Sequence, residues 1–234
     1  MLTAPQFLPA NLVVFRERMA AAARAAGRAP ESVTLVGVTK TQPVEMVAAA
    51  RAAGLADFAE NYLQEALPKL AATPRDGIRW HFIGTLQANK TRPVAEQFDW
   101  VHTVDRLKLA ERLSAQRPFH GTALQVLLQV KLVPEPGKGG VEPEALPALA
   151  RAVAALPRLK LRGLMCVPPE TDSASEQRGY FARLRRLRDD LNDEGLNLDA
   201  LSMGMSGDFE SAILEGATHI RIGTALFGPR PRPA

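Results

Sequence analysis

The residue with the clearest chemical potential is a lysine that follows an apolar, β-branched run. The segment VTLVGV (33–38) leads into Thr39, Lys40 and Thr41, and Pro43 then begins a helical stretch. At the end of a buried strand, desolvation disfavours the ammonium form of a lysine, and the free amine can attack an aldehyde. Position alone does not separate this role from that of an ordinary surface lysine, the commoner case for a single lysine.

Two segments near the end of the chain carry small and hydroxyl residues where helices are expected to begin. Ser206 lies within LSMGMSGDFE (201–210), and Gly223 and Thr224 lie within HIRIGTALFG (219–228). Backbone N–H groups and hydroxyls at helix starts stabilise a phosphate dianion. The alternative is that Ser206 is only an N-cap and Gly223 only a turn residue. The two segments together favour a phosphate site.

An arginine is placed inside the last predicted strand. Arg221 lies between Ile220 and Ile222, so strand alternation turns it to the face opposite these two residues. If the isoleucines pack against helices, Arg221 points into the interior, where a buried arginine needs an acceptor. A ring nitrogen of a ligand would serve, and so would a carboxylate such as Glu60; the sequence does not choose between them.

Other polar residues near strand ends give weaker signals. Asn61 and His81 can line the mouth of a sheet, but each is as typical of a structural hydrogen-bonding residue. The four histidines lack zinc-ligand spacing with Cys166. The chain has no GxGxxG fingerprint, no GxxxxGK[ST] loop and no GxSxG elbow. Metal chemistry and serine hydrolysis are therefore unsupported.

The elements that would position these residues recur along the chain as apolar runs separated by alanine- and leucine-rich helical segments. The predicted strands are Val33–Val38, Asp57–Glu60, Ile78–Ile83, Trp100–Thr103, Leu124–Lys131, Leu161–Val167, Leu198–Met203 and Ile220–Gly223. The predicted helices include Ala10–Ala26, Pro43–Ala53, Asn61–Leu70, Arg106–Gln116, Pro143–Leu156, Glu176–Leu191 and Phe209–Glu215. Strict alternation predicts an α/β fold, and eight repeats favour a single (β/α)8 TIM barrel with an extra N-terminal helix. An open doubly wound sheet is the alternative. In a barrel, reactive groups lie at the C-terminal ends of the strands.

Composition and length agree with one soluble globular domain. The 234 residues are 46% hydrophobic and 23% charged, and α/β barrels of this length usually form one unit. We expect a single domain over residues 1–234, with flexible tails at about 1–8 and 229–234. No apolar run approaches the roughly 20 residues that span a bilayer, and the N-terminus lacks a signal-peptide pattern. A cytoplasmic protein without disulfides is expected, since Cys166 is its only cysteine.

The net charge of +4 raises the question of nucleic acid as a partner. The densest basic run, within 183–188, is followed directly by four acidic residues within 189–194. An exposed helix face explains this pattern better than a surface that follows phosphates. We expect no nucleic-acid partner.

Five blocks of the sequence, in this order, resemble the YggS/PROSC family of pyridoxal phosphate homeostasis proteins. The blocks are GVTKTQP (37–43), AENYLQE (59–65), WHFIGTLQANK (80–90), LRGLMCVPP (161–169) and LSMGMSGDFESAILEGATHIRIGTALFG (201–228). They span nearly the whole chain. The resemblance implies the barrel of the N-terminal domain of alanine racemase without the second domain of that enzyme.

The resemblance also implies pyridoxal 5'-phosphate (PLP) as the cofactor and assigns roles to matching residues. Lys40 would hold PLP as a Schiff base, and Arg221 would face the pyridine nitrogen. The phosphate would be held by Ser206, Gly223 and Thr224, and Asn61 would lie near the ring.

The chain departs from the family pattern at three positions. Ala59 stands where glycine is usual, Thr85 where proline is common, and Lys131 where asparagine is usual. The third departure leaves open the role of the loop 133–140 and of Lys138 as a cofactor contact.

The charge beside the pyridine nitrogen of PLP bears on whether the protein is a PLP carrier or a PLP-dependent enzyme. A cation there disfavours ring protonation and makes the cofactor a weaker electron sink. Racemases tolerate this when two bases flank the substrate α-carbon, but the sequence places neither Tyr62 nor Tyr180 opposite Lys40. We therefore expect a non-catalytic PLP carrier or buffer in vitamin B6 and amino-acid homeostasis, with apo PLP-dependent enzymes as recipients. We expect a monomer, because the sequence leaves no long apolar helix face over.

Three other functions stay open at this point. The first is a PLP-dependent amino-acid racemase of the alanine racemase type. The second is a class I aldolase-type barrel that uses Lys40 on a sugar phosphate. The third is a non-enzymatic scaffold that acts through its basic surface, for which Lys40 would be dispensable.

Overall fold

The computed structural model describes residues 4–135, 137 and 139–228, and within them eight β-strands alternate with nine α-helices. The strands are β1 Thr34–Val38, β2 Asp57–Glu60, β3 Arg79–Phe82, β4 Trp100–Val104, β5 Leu124–Gln129, β6 Leu159–Met165, β7 Ala200–Ser202 and β8 His219–Ile222. The helices are α1 Ala4–Ala25, α2 Val44–Ala52, α3 Leu63–Ala72, α4 Thr91–Gln97, α5 Leu107–Gln116, α6 Leu146–Ala154, α7 Ala174–Asp193, α8 Phe209–Leu214 and α9 Thr224–Phe227.

The eight strands are parallel and close into a barrel in sequence order, which excludes the open-sheet alternative. Closure is made by β8 and β1. Val36 of β1 pairs with Asp57 of β2 on one side and with Arg221 of β8 on the other. The prediction of a (β/α)8 barrel is confirmed.

Most helix boundaries differ from the prediction by one to three residues, and three further differences concern α1, α3 and α4. Helix α1 begins at Ala4, and Leu8 is fully buried, so the helix includes part of the segment expected to be a tail. Helix α3 begins at Leu63, which leaves Asn61 in the preceding loop. The seven-residue helix α4 was not predicted. Residues 1–3 and 229–234 lie outside the described residues, so the expected tails there stay a prediction.

The barrel has two packed layers of side chains. Ile220 and Ile222 belong to the core between strands and helices, as alternation predicted. The opposite face of the strands points into the barrel, where the rings of Trp100 and His219 lie 4.9 Å apart. Their strands, β4 and β8, are on opposite sides of the closed sheet, so this contact crosses the interior. The interior is filled by side chains rather than open.

The surface of α7 carries the basic run. Arg185 of that run forms an ion pair with the buried Glu215, which also pairs with Arg178, and Arg188 pairs with its neighbour Asp189. Part of the positive charge of the run is thus compensated within the fold. Among the helices in the described ranges, none has the length and apolar character that a membrane span requires.

Candidate functional site

A cavity of about 590 Å³ opens at the C-terminal end of the barrel. Its walls come from the ends of β1, β2, β3, β6 and β8 and from the loop after β7. All six residues predicted to contact the cofactor line it, namely Lys40, Asn61, Ser206, Arg221, Gly223 and Thr224. The volume falls in the range usual for small-molecule and cofactor sites.

Lys40 sits in a tight turn two residues beyond the end of β1. The N–H of Gln42 donates to Thr39 O over 3.0 Å, and Thr41 has a φ of 63°. Positive φ at the third residue defines a type II turn, where glycine is usual and a β-branched residue is strained. The N–H of Thr41 donates to Glu65 Oε2 of α3 over 2.8 Å, which holds the turn in place.

Thr39, the residue before Lys40, is held in place by a buried ion pair between Lys69 and Glu60. Lys69 Nζ of α3 donates to Thr39 O over 2.6 Å and to Glu60 Oε1 over 2.7 Å. The hydroxyl of Thr39 donates to the same carboxylate oxygen over 2.6 Å. Burial raises the pKa of Glu60, and the hydrogen bonds from Lys69 and Thr39 offset only part of that rise. Helix α3 therefore fixes the residues on both sides of Lys40.

The backbone of Asn61 packs closely against Gly84, which lies two residues after β3. A Cβ at Gly84 would lie 1.9 Å from Asn61 O, so only glycine allows this approach. The Oδ1 atom of Asn61 is buried and has no hydrogen-bond partner in the described part of the chain. Buried polar atoms normally find partners, so this atom is available for a ligand in the cavity.

Ser206, Gly223 and Thr224 lie together on the side of the cavity formed by the ends of β7 and β8. Ser206 is not an N-cap, since the residue preceding α8 is Asp208 and its carboxylate accepts from the N–H of Met205. Burial raises the pKa of Asp208, although the hydrogen bond from Met205 works in the opposite direction. The serine hydroxyl is thus not needed to cap α8. Loops after strands 7 and 8 are the usual phosphate site of this fold.

Arg221 lies at the bottom of the cavity with 4% of its surface exposed. It donates to Ser202 Oγ over 2.7 Å and to Cys166 O over 2.9 Å. Burial lowers the pKa of Arg221, but arginine starts so high that it stays a cation. A guanidinium has five N–H groups, so donors remain beyond these two bonds.

The structure decides two questions that the sequence left open. Glu60 is not the partner of Arg221, because its carboxylate faces Thr39 and Lys69 on the other side of β2. His81 does not line the mouth. It is fully buried inside the barrel, where it contacts His102 and Asp57.

Sequence reasoning missed the buried supports of the site. Thr39 and Lys69 fix the turn around Lys40, and Ser202 holds Arg221. The only available signal was a polar residue at an inward or strand-end position of an apolar strand. Lys131, which departs from the family pattern, pairs with Glu142 over 3.1 Å; Lys138 lies outside the described residues.

The cavity thus brings together a primary amine, two hydroxyl side chains and a buried guanidinium with unused donors. Such a set suits an aldehyde that carries an anionic group at one end and a neutral acceptor at the other.

The fold and this cavity define a protein of the alanine racemase N-terminal class. The model of the family "Alanine racemase, N-terminal domain" matches residues 11–231. The alanine racemase of Corynebacterium glutamicum has the same fold, with a TM-score of 0.67 and 16% identity over 92% of this chain and 60% of that chain.

Closer relatives narrow the class. The pyridoxal phosphate homeostasis protein of Pseudomonas aeruginosa is 57% identical over 220 residues, which are 94% of each chain. PipY of Synechococcus elongatus was solved without and with PLP; the two structures are 41% and 40% identical, with TM-scores of 0.81 and 0.80 over 91% of this chain and 99% of PipY. The chain belongs to the family of pyridoxal phosphate homeostasis proteins, which confirms the resemblance seen in the sequence blocks.

Proposed function

We propose that this protein binds PLP reversibly through Lys40 and acts as a cytoplasmic, monomeric carrier or buffer in vitamin B6 and amino-acid homeostasis. The observation that carries the proposal is the convergence of Lys40, Arg221 and the Ser206–Thr224 side on one cavity. The relatives named above are PLP homeostasis proteins, and PipY has been solved with PLP bound.

The residues of the cavity fit PLP. When bound, PLP supplies an aldehyde that condenses reversibly with primary amines. Lys40 provides that amine as a Schiff-base partner, and its position is held by the turn at Thr41. Ser206, Gly223 and Thr224 hold the phosphate. Arg221 directs an unused N–H to the pyridine nitrogen, and the unpartnered Asn61 Oδ1 faces the bound molecule.

The surroundings of Lys40 favour a carrier over a racemase. Arg221 can only donate at the ring nitrogen, which weakens the cofactor as an electron sink. A racemase with so weak an electron sink needs a second base opposite Lys40. Neither Tyr62 nor Tyr180 is among the described residues that line the cavity; Tyr62 is 53% exposed and Tyr180 packs on the outer core.

The charge around the cavity favours an incoming amine over an amino acid. Glu170, Asp172 and Asp208 line it together with Thr171 and Gln177. Carboxylates repel the carboxylate of an amino acid and attract an ammonium group. The active-site lysine of an apo PLP-dependent enzyme is such an amine, which is why we propose these enzymes as recipients.

The test is the fate of the cofactor in Lys40→Ala. The purified protein, loaded with PLP, is expected to show a visible absorption band, and borohydride reduction is expected to fix the pyridoxyl group on the peptide containing Lys40. In Lys40→Ala the band disappears. Lys160→Ala, which removes an exposed lysine of β6, is the matched control and keeps the band.

Other outcomes would point to other functions. A band of unchanged intensity in Lys40→Ala would overturn the assignment of Lys40. A colourless protein in which borohydride traps a sugar phosphate would favour an aldolase. Rapid conversion of L-alanine to D-alanine by the loaded protein would favour a racemase.

A further inference from the structure

A continuous row of polar side chains runs through the barrel below the cavity. Arg221 donates to Ser202 Oγ over 2.7 Å, and Ser202 Oγ lies 2.8 Å from His102 Nδ1. His102 Nε2 lies 2.9 Å from His81 Nδ1, and His81 Nε2 lies 3.0 Å from Asp57 Oδ1. The row crosses from β8 and β7 to β4, β3 and β2, so it spans the interior.

The two ends of the row have different surroundings. Arg221 faces the cavity. Asp57 is the first residue of β2 and accepts two hydrogen bonds from Arg79, the first residue of β3, whose side chain is 56% exposed. The three groups between the ends are each 0% exposed. Water therefore does not compete for these hydrogen bonds.

The two end residues, Arg221 and Asp57, determine which group donates and which accepts in every hydrogen bond of the row. Arginine can only donate, and an ionised carboxylate can only accept. Burial alone would raise the pKa of Asp57, but the hydrogen bonds from Arg79 and His81 lower it to about 2. Ser202, His102 and His81 in their neutral forms each donate once and accept once. Four bonds then run from Arg221 through Ser202, His102 and His81 to Asp57 with no donor left over.

An added proton breaks this balance. A second N–H on either imidazole would make Ser202 Oγ accept from both Arg221 and His102, and its own hydrogen would have no acceptor in the row. Burial also lowers the pKa of His102 well below its usual value, and the neighbouring His81 and His219 act in the same direction. The neutral arrangement satisfies all the groups.

We propose that Ser202, His102, His81 and Asp57 form a one-directional hydrogen-bond row that positions Arg221 for the ring nitrogen of the bound cofactor. The proposal rests on the proposed function for the identity of the ligand. The row keeps one lone pair of Ser202 turned toward Arg221, and Cys166 O holds the second guanidinium nitrogen. The remaining N–H groups of Arg221 are thereby directed to the cavity. Ser202, His102, His81 and Asp57 are positioning residues, since they act through Arg221.

The direction of the row can be measured without cofactor. Two-bond proton–nitrogen correlation spectra of the apo protein with labelled histidine report which ring nitrogen carries hydrogen. We expect His102 protonated only on Nε2 and His81 protonated on Nε2 but not on Nδ1. The exposed His120 is the internal reference, and His102→Gln and His81→Gln assign the signals. A hydrogen on Nδ1 of His102 would overturn the proposed direction.

The positioning role is tested with Ser202→Ala and two ligands. One is PLP; the other is 1-deazapyridoxal 5'-phosphate, which has C–H in place of the ring nitrogen. We expect Ser202→Ala to weaken PLP binding roughly tenfold, as for a lost hydrogen bond to a charged group. Binding of the deaza analogue should change by less than about twofold, because it has no acceptor for Arg221. Ser114→Ala removes another buried hydroxyl, one that donates to Pro157 O outside the barrel, and should change neither affinity.

The outcomes separate this proposal from the proposed function. Equal losses for both ligands in Ser202→Ala would mean a merely structural effect and would overturn the positioning role. Equal PLP affinity in Ser202→Ala and the wild type would do the same. If the wild type failed to bind PLP at all, the proposed function would fall and the ring-nitrogen role with it. The histidine tautomers would still test the direction of the row.

Discussion

The two ends of the barrel interior differ in how their polar groups are satisfied. At the N-terminal end, Asp57 accepts from Arg79 and contacts His81, and the rings of Trp100 and His219 lie against each other. At the C-terminal end, the loop after β2 carries a buried oxygen atom without a partner in the described residues, Asn61 Oδ1. There the chain also adopts a strained turn and surrounds an open cavity.

From this difference we infer that the N-terminal end of the barrel mainly stabilises the fold and that the C-terminal end mainly binds the ligand. A closed set of buried partners stabilises the fold, because each group lost leaves another unpaired. Unpartnered atoms and backbone strain lower stability and are tolerated where they serve binding. Substitutions at the C-terminal end should change ligand affinity more than stability, and those at the N-terminal end should do the reverse.

The largest effect is expected at the cavity, for the double variant Ser206→Ala with Thr224→Ala. Loss of two hydroxyl donors to a phosphate should weaken PLP binding by about a hundredfold. The free energy of unfolding of the apo protein should change by less than about 1 kcal/mol, since neither side chain belongs to the core. Titration of PLP absorbance and urea denaturation measure the two quantities.

The control is a serine that caps a helix, because its loss should lower stability and leave PLP affinity unchanged. Ser173 accepts from the N–H of Glu176 and caps α7. Ser173→Ala should lower the free energy of unfolding by about 1 kcal/mol and leave PLP affinity unchanged. Equal PLP affinity in the double variant and the wild type would remove the phosphate site from the C-terminal end.

The second-largest effect is expected at the N-terminal end of the barrel, on the free energy of unfolding of the variant Asp57→Asn. The pKa of Asp57 falls from an ordinary 3.8 to about 2 in the folded state, so its ionised form contributes about 2 kcal/mol to stability. That contribution is complete above the unfolded pKa and is lost as the pH falls through the folded one. We expect Asp57→Asn to be about 2 kcal/mol less stable than the wild type at neutral pH. The difference should shrink as the pH falls from about 4 to about 2.

A second aspartate–arginine pair is the matched control. Arg162 donates to both carboxylate oxygens of Asp199 over 2.7 and 2.6 Å, the same geometry as Arg79 with Asp57. The side chain of Asp199 is 58% exposed, whereas that of Asp57 is 7% exposed. Solvent screens the exposed pair, so Asp199→Asn should cost less than about 1 kcal/mol in urea denaturation. Equal losses in the two variants would show that burial of Asp57 adds nothing.

The sequence predicts one end of the barrel better than the other. Lys40 and Arg221 were placed correctly because strand ends and strand alternation fix their positions along the chain. The same alternation turns His102 and Ser202 inward, but it does not say that they meet. They are 100 residues apart, on β4 and β7, and their contact depends on barrel closure and strand register. The alternation of residues within one strand predicts which way a side chain points. Which side chains meet across the barrel interior can be read only from the tertiary structure.

Two local features of the backbone, helix α4 and the conformation of Thr41, could not be predicted from the sequence either. Helix α4 has only seven residues, too few for a clear helical period. The left-handed conformation of Thr41 was not predicted either, because threonine is a residue type that disfavours positive φ. That conformation is imposed by the contacts of Glu65 and Thr39 rather than by the residue itself.

The smallest effect is expected from relief of that strain, in Thr41→Gly. A left-handed conformation costs a non-glycine residue about 1–2 kcal/mol, and glycine loses up to about 1 kcal/mol more entropy on folding. Because the side chain of Thr41 is exposed, little packing is lost, and we expect a stability gain of at most about 1 kcal/mol. Thr41→Ala keeps a Cβ at positive φ and should show no gain. PLP affinity should fall a few-fold in Thr41→Gly, because a less restricted turn holds Lys40 less firmly in its binding position. A glycine variant that is no more stable than Thr41→Ala would mean that the turn next to Lys40 is not strained.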